Sequence, residues 1–337
     1  MGITGIRGRV QKAFRSPQKW LNYRRGSLSA WTYPDRMYLE CTNVCNLSCV
    51  MCPNGMSQMK RPKGFMDFDL FARIVGEMAP HVETTTLHIW GEPLLHPRIF
   101  DMIALCKERR LPSEISTNAT LLDPQKADLI LESGLDAIYL CLDGTRAETY
   151  EKIRRKADFQ RTRDNILHFL TRKIEKGVTR PLVNLQIIEM QPTAGEVQQF
   201  IDVWRLPGVD RINVKAFDSW GGQVDDIRAL GPDGNGSLPQ RYHCPNLWYH
   251  VHIYWDGALV CCDRDFDALY PLGNVSQGVM KAWRGPAMAR LRRKHLDQQL
   301  EDVPPCRNCV EWSWWAPTLF RSHGNAPQKP RQKGSGR

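Results

Sequence analysis

The segment CNLSCVMC at residues 45–52 constrains this chain more than any other. It sets Cys45, Cys49 and Cys52 in a CxxxCxxC spacing directly after the strand-like stretch Met37 to Glu40. A [4Fe-4S] cubane normally takes four cysteine ligands. Three thiolates leave one iron with an open position, by the logic that separates catalytic from structural metal sites. The alternatives are a zinc knuckle, or a structural cluster completed by Cys41 four residues upstream. Zinc sites usually show paired CxxC or His ligands, and no histidine lies between Cys41 and Cys52.

The chain has 11 cysteines. Such a number would suit a secreted, disulfide-bonded protein, yet the cysteines cluster and the N-terminus lacks the compact apolar region of an export signal. Metal ligation in a reducing compartment explains them better, so a cytoplasmic location is expected. Cys244, Cys262, Cys306 and Cys309 form a second group, and Cys41, Cys106, Cys141 and Cys261 are left over. At 337 residues, 42% apolar and 24% charged, the chain can bury one large domain and a smaller one. No apolar run approaches the roughly 20 residues that span a bilayer.

The net charge of +10 is uneven. Residues 1–36 hold eight Lys/Arg against one acid and residues 281–337 hold twelve against four, which leaves residues 37–280 at −5. An acidic body argues against a general nucleic-acid binder. The non-enzyme alternative is a metalloprotein that binds RNA or an anionic partner through its basic ends. Neither RNA-stacking motifs nor a phosphate loop supports it. Ile6, Val10, Ala13 and Phe14 share a helical face opposite Arg7, Arg9, Lys12 and Arg15. That face is expected to cap the fold, with membrane-surface docking as the alternative. Residues 321–337, with five Lys/Arg and no acid, are expected to form a disordered basic tail.

Strands are expected near residues 37–41, 84–90, 112–117, 136–142, 181–189 and 210–216, with helices between them. Leu70, Phe71, Ile74, Val75 and Met78 make one apolar helical face, and Ile166, Leu167, Leu170 and Ile174 another. The alternation gives six βα units of a parallel α/β fold. Three further motifs end predicted strands: His88-Ile89-Trp90-Gly91-Glu92-Pro93, Ser116-Thr117-Asn118 and Leu142-Asp143-Gly144. Parallel α/β folds place active sites at those ends.

With the cysteine loop, these motifs resemble the radical S-adenosylmethionine (SAM) enzyme family, matching in order its cluster loop, GGEP, ribose-side and SLDG motifs. The resemblance implies a partial (β/α)6 radical SAM barrel over residues 37–218, after a basic N-terminal extension over residues 1–36. From about Ser219, Gly221-Gly222 and Gly231-Pro232-Asp233-Gly234 read as a linker. Val251, Ile253 and Trp255 then alternate as a strand, Asp256-Gly257 turns, and Leu259 to Cys262 returns. Ala282, Trp283, Met288 and Leu291 suggest helical packing before Cys306-Arg307-Asn308-Cys309. Residues 219–320 resemble the SPASM/twitch extension of radical SAM enzymes, a small α+β iron–sulfur domain. Its single-cluster form would put a second, auxiliary [4Fe-4S] cluster on Cys244, Cys262, Cys306 and Cys309. Cys262 is preferred over Cys261 because the family's paired cysteines usually ligate through the second. A zinc ribbon stays open for this group.

The resemblance further implies that SAM chelates the open iron and is cleaved reductively to a 5′-deoxyadenosyl radical. Gly91 and Glu92 would meet the methionine amine, Ser116 and Asn118 the ribose side, and Arg154 the carboxylate. The plain alternatives are a solvated helix arginine for Arg154 and a turn residue for Asp143. Trp90, Cys141, Met51 and Cys41 depart from the family pattern, and Cys41, Cys106 and Cys141 are expected to pack as small hydrophobes. Cys261 is either a hydrogen-atom donor, as an epimerase needs, or a packed thiol. The 36 residues before the first strand leave no room for a leader-binding domain, so the expected substrate is a small polar metabolite, a sugar or aminocyclitol. Dehydrogenation or epimerisation is the expected outcome, with the auxiliary cluster able to accept the second electron of an oxidation. The alternative is peptide modification with a separate leader-binding partner. An electron donor such as flavodoxin or ferredoxin is implied, and an acidic or peripheral partner for the basic termini is left open.

Overall fold

Six strands fall where the sequence places them. The computed structural model describes residues 17–232 and 240–315. In it β1 (Arg36–Leu39), β2 (Thr84–Thr86), β3 (Ser113–Thr117), β4 (Ala137–Cys141), β5 (Leu182–Glu189) and β6 (Arg211–Ala216) pair in chain order, every pair parallel. β2 is shorter than expected. Beyond it the Leu87 amide still bonds Glu114 (2.8 Å), but Gly91 turns into positive φ (+78°) and the chain leaves the sheet.

Helices α1 (Pro17–Arg24), α2 (Phe68–Met78), α3 (Ile99–Glu108), α4 (Pro124–Glu132), α5 (Ala147–Ile153), α6 (Phe159–Glu175) and α7 (Val197–Val203) precede or separate these strands. Aspartates cap three of them: Asp67, Asp123 and Asp158 accept amide hydrogens in the first turns of α2, α4 and α6, each such cap contributing about 1 kcal/mol. α2 buries Phe71, Ile74, Val75 and Met78 as expected. α6 follows its expected face except at Ile174. It buries Thr162, Ile166, Phe169, Leu170 and Lys173, and Ile174 is 53% exposed. Lys173 can go inside because its ammonium bonds Asp210 and the Gly208 carbonyl.

The sheet has two chemically different faces, as period-two alternation demands. Met37, Leu39, Ile115, Ile138, Leu140, Val183, Leu185 and Ile187 belong to the apolar core. The alternate positions include Arg36, Glu114, Ser116, Cys141, Gln186 and Asn213, which bond to one another across strands.

The largest departure from the sequence reading lies after residue 219. The hairpin expected in a separate small domain is part of the same sheet: β7 (His250–Ile253) pairs parallel with β1, and β8 (Leu259–Val260) pairs antiparallel with β7. The strand order is therefore β6-β5-β4-β3-β2-β1-β7-β8. All four residues of β7 are buried, so it does not alternate, and Trp255 lies in the turn beyond it. Gly257 makes that turn at φ +82°. The supposed linker also packs: Val224 and the fully buried Ile227 join Trp90, Tyr254, Val260 and Phe266 in a second apolar cluster. Helices α8 (Val279–Trp283) and α9 (Pro286–Leu296) bury Trp283, Met288 and Leu291, and Arg292 and Trp248 tie the N-terminal stretch at Leu28 and Ser27 to this region. The amphipathic face from Ile6 to Phe14, Asp233-Gly234 and the tail 321–337 lie outside the described residues. Among the described residues no helix is long and apolar enough to cross a membrane.

A hairpin built into the sheet should unfold with it. Ile253→Ala should cost about 2 to 5 kcal/mol in urea denaturation of the metal-free protein, within a single transition. Two transitions, with only the smaller one shifted, would contradict a continuous core.

Candidate active site

The cysteine loop leaves β1 and folds tightly on itself. The Cys52 amide bonds the Cys49 carbonyl (3.2 Å) and the Met56 amide bonds that of Cys52 (2.9 Å). A Cβ on Gly55 would come within 2.4 Å of the Cys49 carbonyl oxygen, so the loop can close only on a glycine. Cys49 is buried, and Cys45 and Cys52 half-buried. The three thiols act electrostatically on one another, and burial pushes Cys45 up to about 11 and Cys49 up to about 12 while Arg154 pulls both back. Cys41 does not join them. It is 1% exposed in the apolar core beside Cys106, which removes it as the fourth ligand of a structural cluster.

The motif at the end of β2 braces this loop. Gly91 passes so close that a Cβ would lie 2.5 Å from the Thr42 carbonyl oxygen and 2.7 Å from that of Val44, and the Glu92 amide bonds Val44 (2.8 Å). The Glu92 carboxylate is 1% exposed. It accepts from the Leu94 amide (3.0 Å), the Thr117 hydroxyl (2.7 Å) and the Asn118 amide (2.8 Å), so it stitches the ends of β2 and β3 together. Asn118 reaches the other way: its side-chain amide donates to Asn46 (3.0 Å) beside Cys45, and its oxygen accepts from Thr120. Ser116 places its Oγ 3.0 Å from Cys141 Sγ.

Arg154 is no solvated helix arginine, and Asp143 is no mere turn residue. The Arg154 side chain is 9% exposed and that of Asp143 fully buried, paired at 2.7 Å. The second Asp143 oxygen accepts the Ile188 amide (2.8 Å), which holds the pair to β5. On the other side, the Ser48 and Val50 amides bond the Arg155 and Ile153 carbonyls (3.1 and 3.0 Å). The buried Arg154 cation thus acts electrostatically on all three thiols, which suits an anionic cluster.

The second cysteine group also converges. Cys244, Cys262, Cys306 and Cys309 line one small cavity with Arg241, Arg264, His295, Glu311 and Trp312. Cys261 does not line it, although it shares the apolar core with Cys262 and Cys306. Its Sγ lies 3.9 Å from that of Cys262, and thiol hydrogen bonds to Cys262 and Cys306 push Cys261 up. Arg264 pairs with Asp218, with Asp263 (3.0 Å) and with Glu311 (3.6 Å), and the Cys309 thiol donates to Glu311 (3.2 Å). Among the described residues, no three His, Cys, Asp or Glu gather closely enough to hold a single metal ion.

Comparison with known proteins agrees with this geometry. Residues 39–186 match the radical SAM superfamily and residues 244–310 an iron–sulfur cluster-binding domain, SPASM. The chain belongs to the radical SAM superfamily and carries a C-terminal SPASM-type domain. It is 37% identical over 109 residues to a tungsten-containing aldehyde ferredoxin oxidoreductase cofactor-modifying protein of Pyrococcus furiosus, a stretch covering 32% of this chain and 30% of that one. It spans about a third to a half of the first curated relatives' length. In structure it resembles BtrN in complex with AdoMet and 2-DOIA (TM-score 0.55, 16% identity, 82% of this chain and 93% of that chain). It also resembles Streptococcus suis SuiB bound to precursor peptide SuiA (TM-score 0.64, 13% identity, 88% and 77%). At such identities these two likenesses speak for the fold. The family matches imply SAM, a SAM-binding [4Fe-4S] cluster and an auxiliary cluster as cofactors.

Within this radical SAM fold, the polar face of the sheet carries groups that the motifs did not reveal. His88 accepts the Ser116 amide at Nδ1 (2.9 Å), and burial pushes its imidazole down to about 4, so it is a neutral group. Cys141 is not the packed hydrophobe expected of it: it contacts Ser116 and accepts from Gln186 (3.5 Å), which accepts from Asn213 (3.1 Å). Trp90, the departure from GGEP, packs on Trp220 with ring centroids 4.7 Å apart, and the Trp220 indole N–H donates to the Met51 carbonyl inside the cysteine loop (2.8 Å). Polar residues recurring at alternate positions of β3 to β6 were the available signal.

Two substitutions test the frame. Gly91→Ala should lower the iron content of the reconstituted protein by about one cluster while folding persists, because the added methyl pushes on the loop before Cys45. Asp143→Ala should cost about 3 to 5 kcal/mol in urea denaturation by leaving Arg154 buried and unpaired. A shift of under about 1 kcal/mol would show that the pair is solvated.

Proposed function

We propose that this chain cleaves SAM reductively and abstracts a hydrogen atom from a small polar substrate. When bound, the cluster on Cys45, Cys49 and Cys52 and its SAM supply a 5′-deoxyadenosyl radical. The observation that supports this most is a three-thiol loop without a fourth cysteine, set against a buried arginine at the open end of a polar sheet face. Arg154 would hold the SAM carboxylate and Ser116 the ribose side. Gly91 would meet the methionine amine through its backbone; the Glu92 carboxylate, already holding three donors, would act by fixing that backbone. Asn118 would act in the same way on the cysteine loop.

The substrate we favour is a sugar or aminocyclitol, dehydrogenated or epimerised at a carbinol carbon, with the cluster on Cys244, Cys262, Cys306 and Cys309 as electron acceptor in the first case. The hydrogen-bonding face from Ser116 to Asn213 supports a hydroxyl-rich ligand. Likeness to BtrN, solved with AdoMet and 2-DOIA, points the same way. A small iron–sulfur protein or flavodoxin would supply electrons. Likeness to SuiB, solved with its precursor peptide, favours a second reading, peptide modification with a separate leader-binding partner. If the outcome is epimerisation, two thiols are candidates for the hydrogen donor: Cys261, beside Cys262, and Cys141, which is bonded to Ser116 and Gln186 on the polar face and is the one we favour.

Anaerobic reconstitution should yield two [4Fe-4S] clusters per chain. Changing Cys45, Cys49 and Cys52 together to Ala should leave one and abolish reductive SAM cleavage; stoichiometric zinc with less than one iron cluster would overturn the proposal. In deuterium oxide an epimerase incorporates solvent deuterium in its product, and Cys141→Ala should then stop after one SAM cleavage. A product two hydrogens lighter, formed equally well by Cys141→Ala, identifies a dehydrogenase.

A further inference from the structure

Lys215 stands two residues beyond Asn213 on β6, hence on the same polar face. It is half-buried, and among the described residues its ammonium has no hydrogen-bond or ion-pair partner. Two carboxylates lie within its field, Asp218 and Asp263; both are ion-paired with Arg264, which Glu311 also approaches (3.6 Å). The Lys215 charge nonetheless acts on His88, Cys141, Asp218 and Asp263, which puts it where the ends of β2, β4 and β6 meet the segment after Cys262. Its Nζ lies 6.0 Å from the centre of the Trp220 ring, and Trp220 is bonded to the cysteine loop at Met51.

A half-buried ammonium with no hydrogen-bond or ion-pair partner is placed to receive an anion through a charge-assisted hydrogen bond. On the same sheet face His88, Ser116, Gln186 and Asn213 carry hydrogen bonds but no charge, the Asp218 and Asp263 carboxylates being held by Arg264, while Trp220 offers an aromatic wall. We infer that Lys215 is the specificity-determining residue for an anionic substrate, one whose polyhydroxylated body lies along the Ser116–Asn213 face and whose carboxylate or phosphate reaches the ammonium. This rests on the radical SAM reading above and narrows it, because an unmodified cationic aminocyclitol would meet the wrong charge.

The test uses the full chain, reconstituted anaerobically and saturated with SAM, titrated with D-glucuronate, D-glucose 1-phosphate and D-glucose. One of the two charged sugars should bind at least about tenfold more tightly than glucose, as a charge-assisted hydrogen bond gives, and which one does so separates carboxylate from phosphate. Lys215→Met should remove that preference and Lys215→Arg should keep it, both with unchanged iron content and SAM affinity. Equal binding of all three sugars, no binding of any, or a preference that survives in Lys215→Met overturns the inference. A fall in SAM affinity in Lys215→Met also overturns it, by assigning the ammonium to the cofactor. Failure of the wild-type protein to cleave SAM would sink the parent proposal and leave the anion preference measurable.

Discussion

Asp143 and Arg154 form the buried ion pair around which the site is arranged. One carboxylate oxygen holds the guanidinium and the other the Ile188 amide, so the ends of β4 and β5 and the exit of α5 are fixed by one side chain. Backbone bonds from Ser48 and Val50 to the residues flanking Arg154 then hang the cysteine loop on that same point. The pair is expensive to bury. Its cost is offset if the positive end faces a group that needs a cation, and the three thiols of the loop lie within its field. Glu92 performs the parallel task on the other flank, tying the segment after β2 to the end of β3 with two hydrogen bonds, from Thr117 and Asn118.

The C-terminal region belongs to this arrangement. β7 extends the sheet beside β1, and Trp90, Trp220, Ile227 and Phe266 pack with Tyr254 and Val260 of the hairpin region and with Cys52 of the cysteine loop. Arg264 lines the second cavity while pairing with Asp218 and Asp263 on the side of Lys215.

The strands were legible because parallel, two-sided strands write themselves as short apolar runs with turn residues between them. Cysteine spacing and the strand-end motifs named residues that the structure brings together around the cysteine loop, and the four thiols that line the second cavity were likewise named from the sequence. What the sequence hid was tertiary. Whether Arg154 faces solvent or an aspartate eleven residues earlier depends on how α5 docks, which no local pattern records. That the second hairpin joins the sheet is a pairing across some two hundred residues, likewise invisible to periodicity. Ile174 was misplaced because Lys173 competes for the buried face with an ion pair to Asp210. Cys141 reads as a small hydrophobe until Ser116 and Gln186 are placed beside it.

The central claim is that the loop bearing Cys45, Cys49 and Cys52 holds a cluster with one iron left open, beside Arg154. Mössbauer spectroscopy of the iron-reconstituted protein, recorded with and without SAM, tests it directly. The account predicts that SAM changes the signal of a single iron in one of the clusters, and that Arg154→Gln needs a higher SAM concentration for the same change. Spectra identical with and without saturating SAM, from a protein holding its full iron, would contradict it.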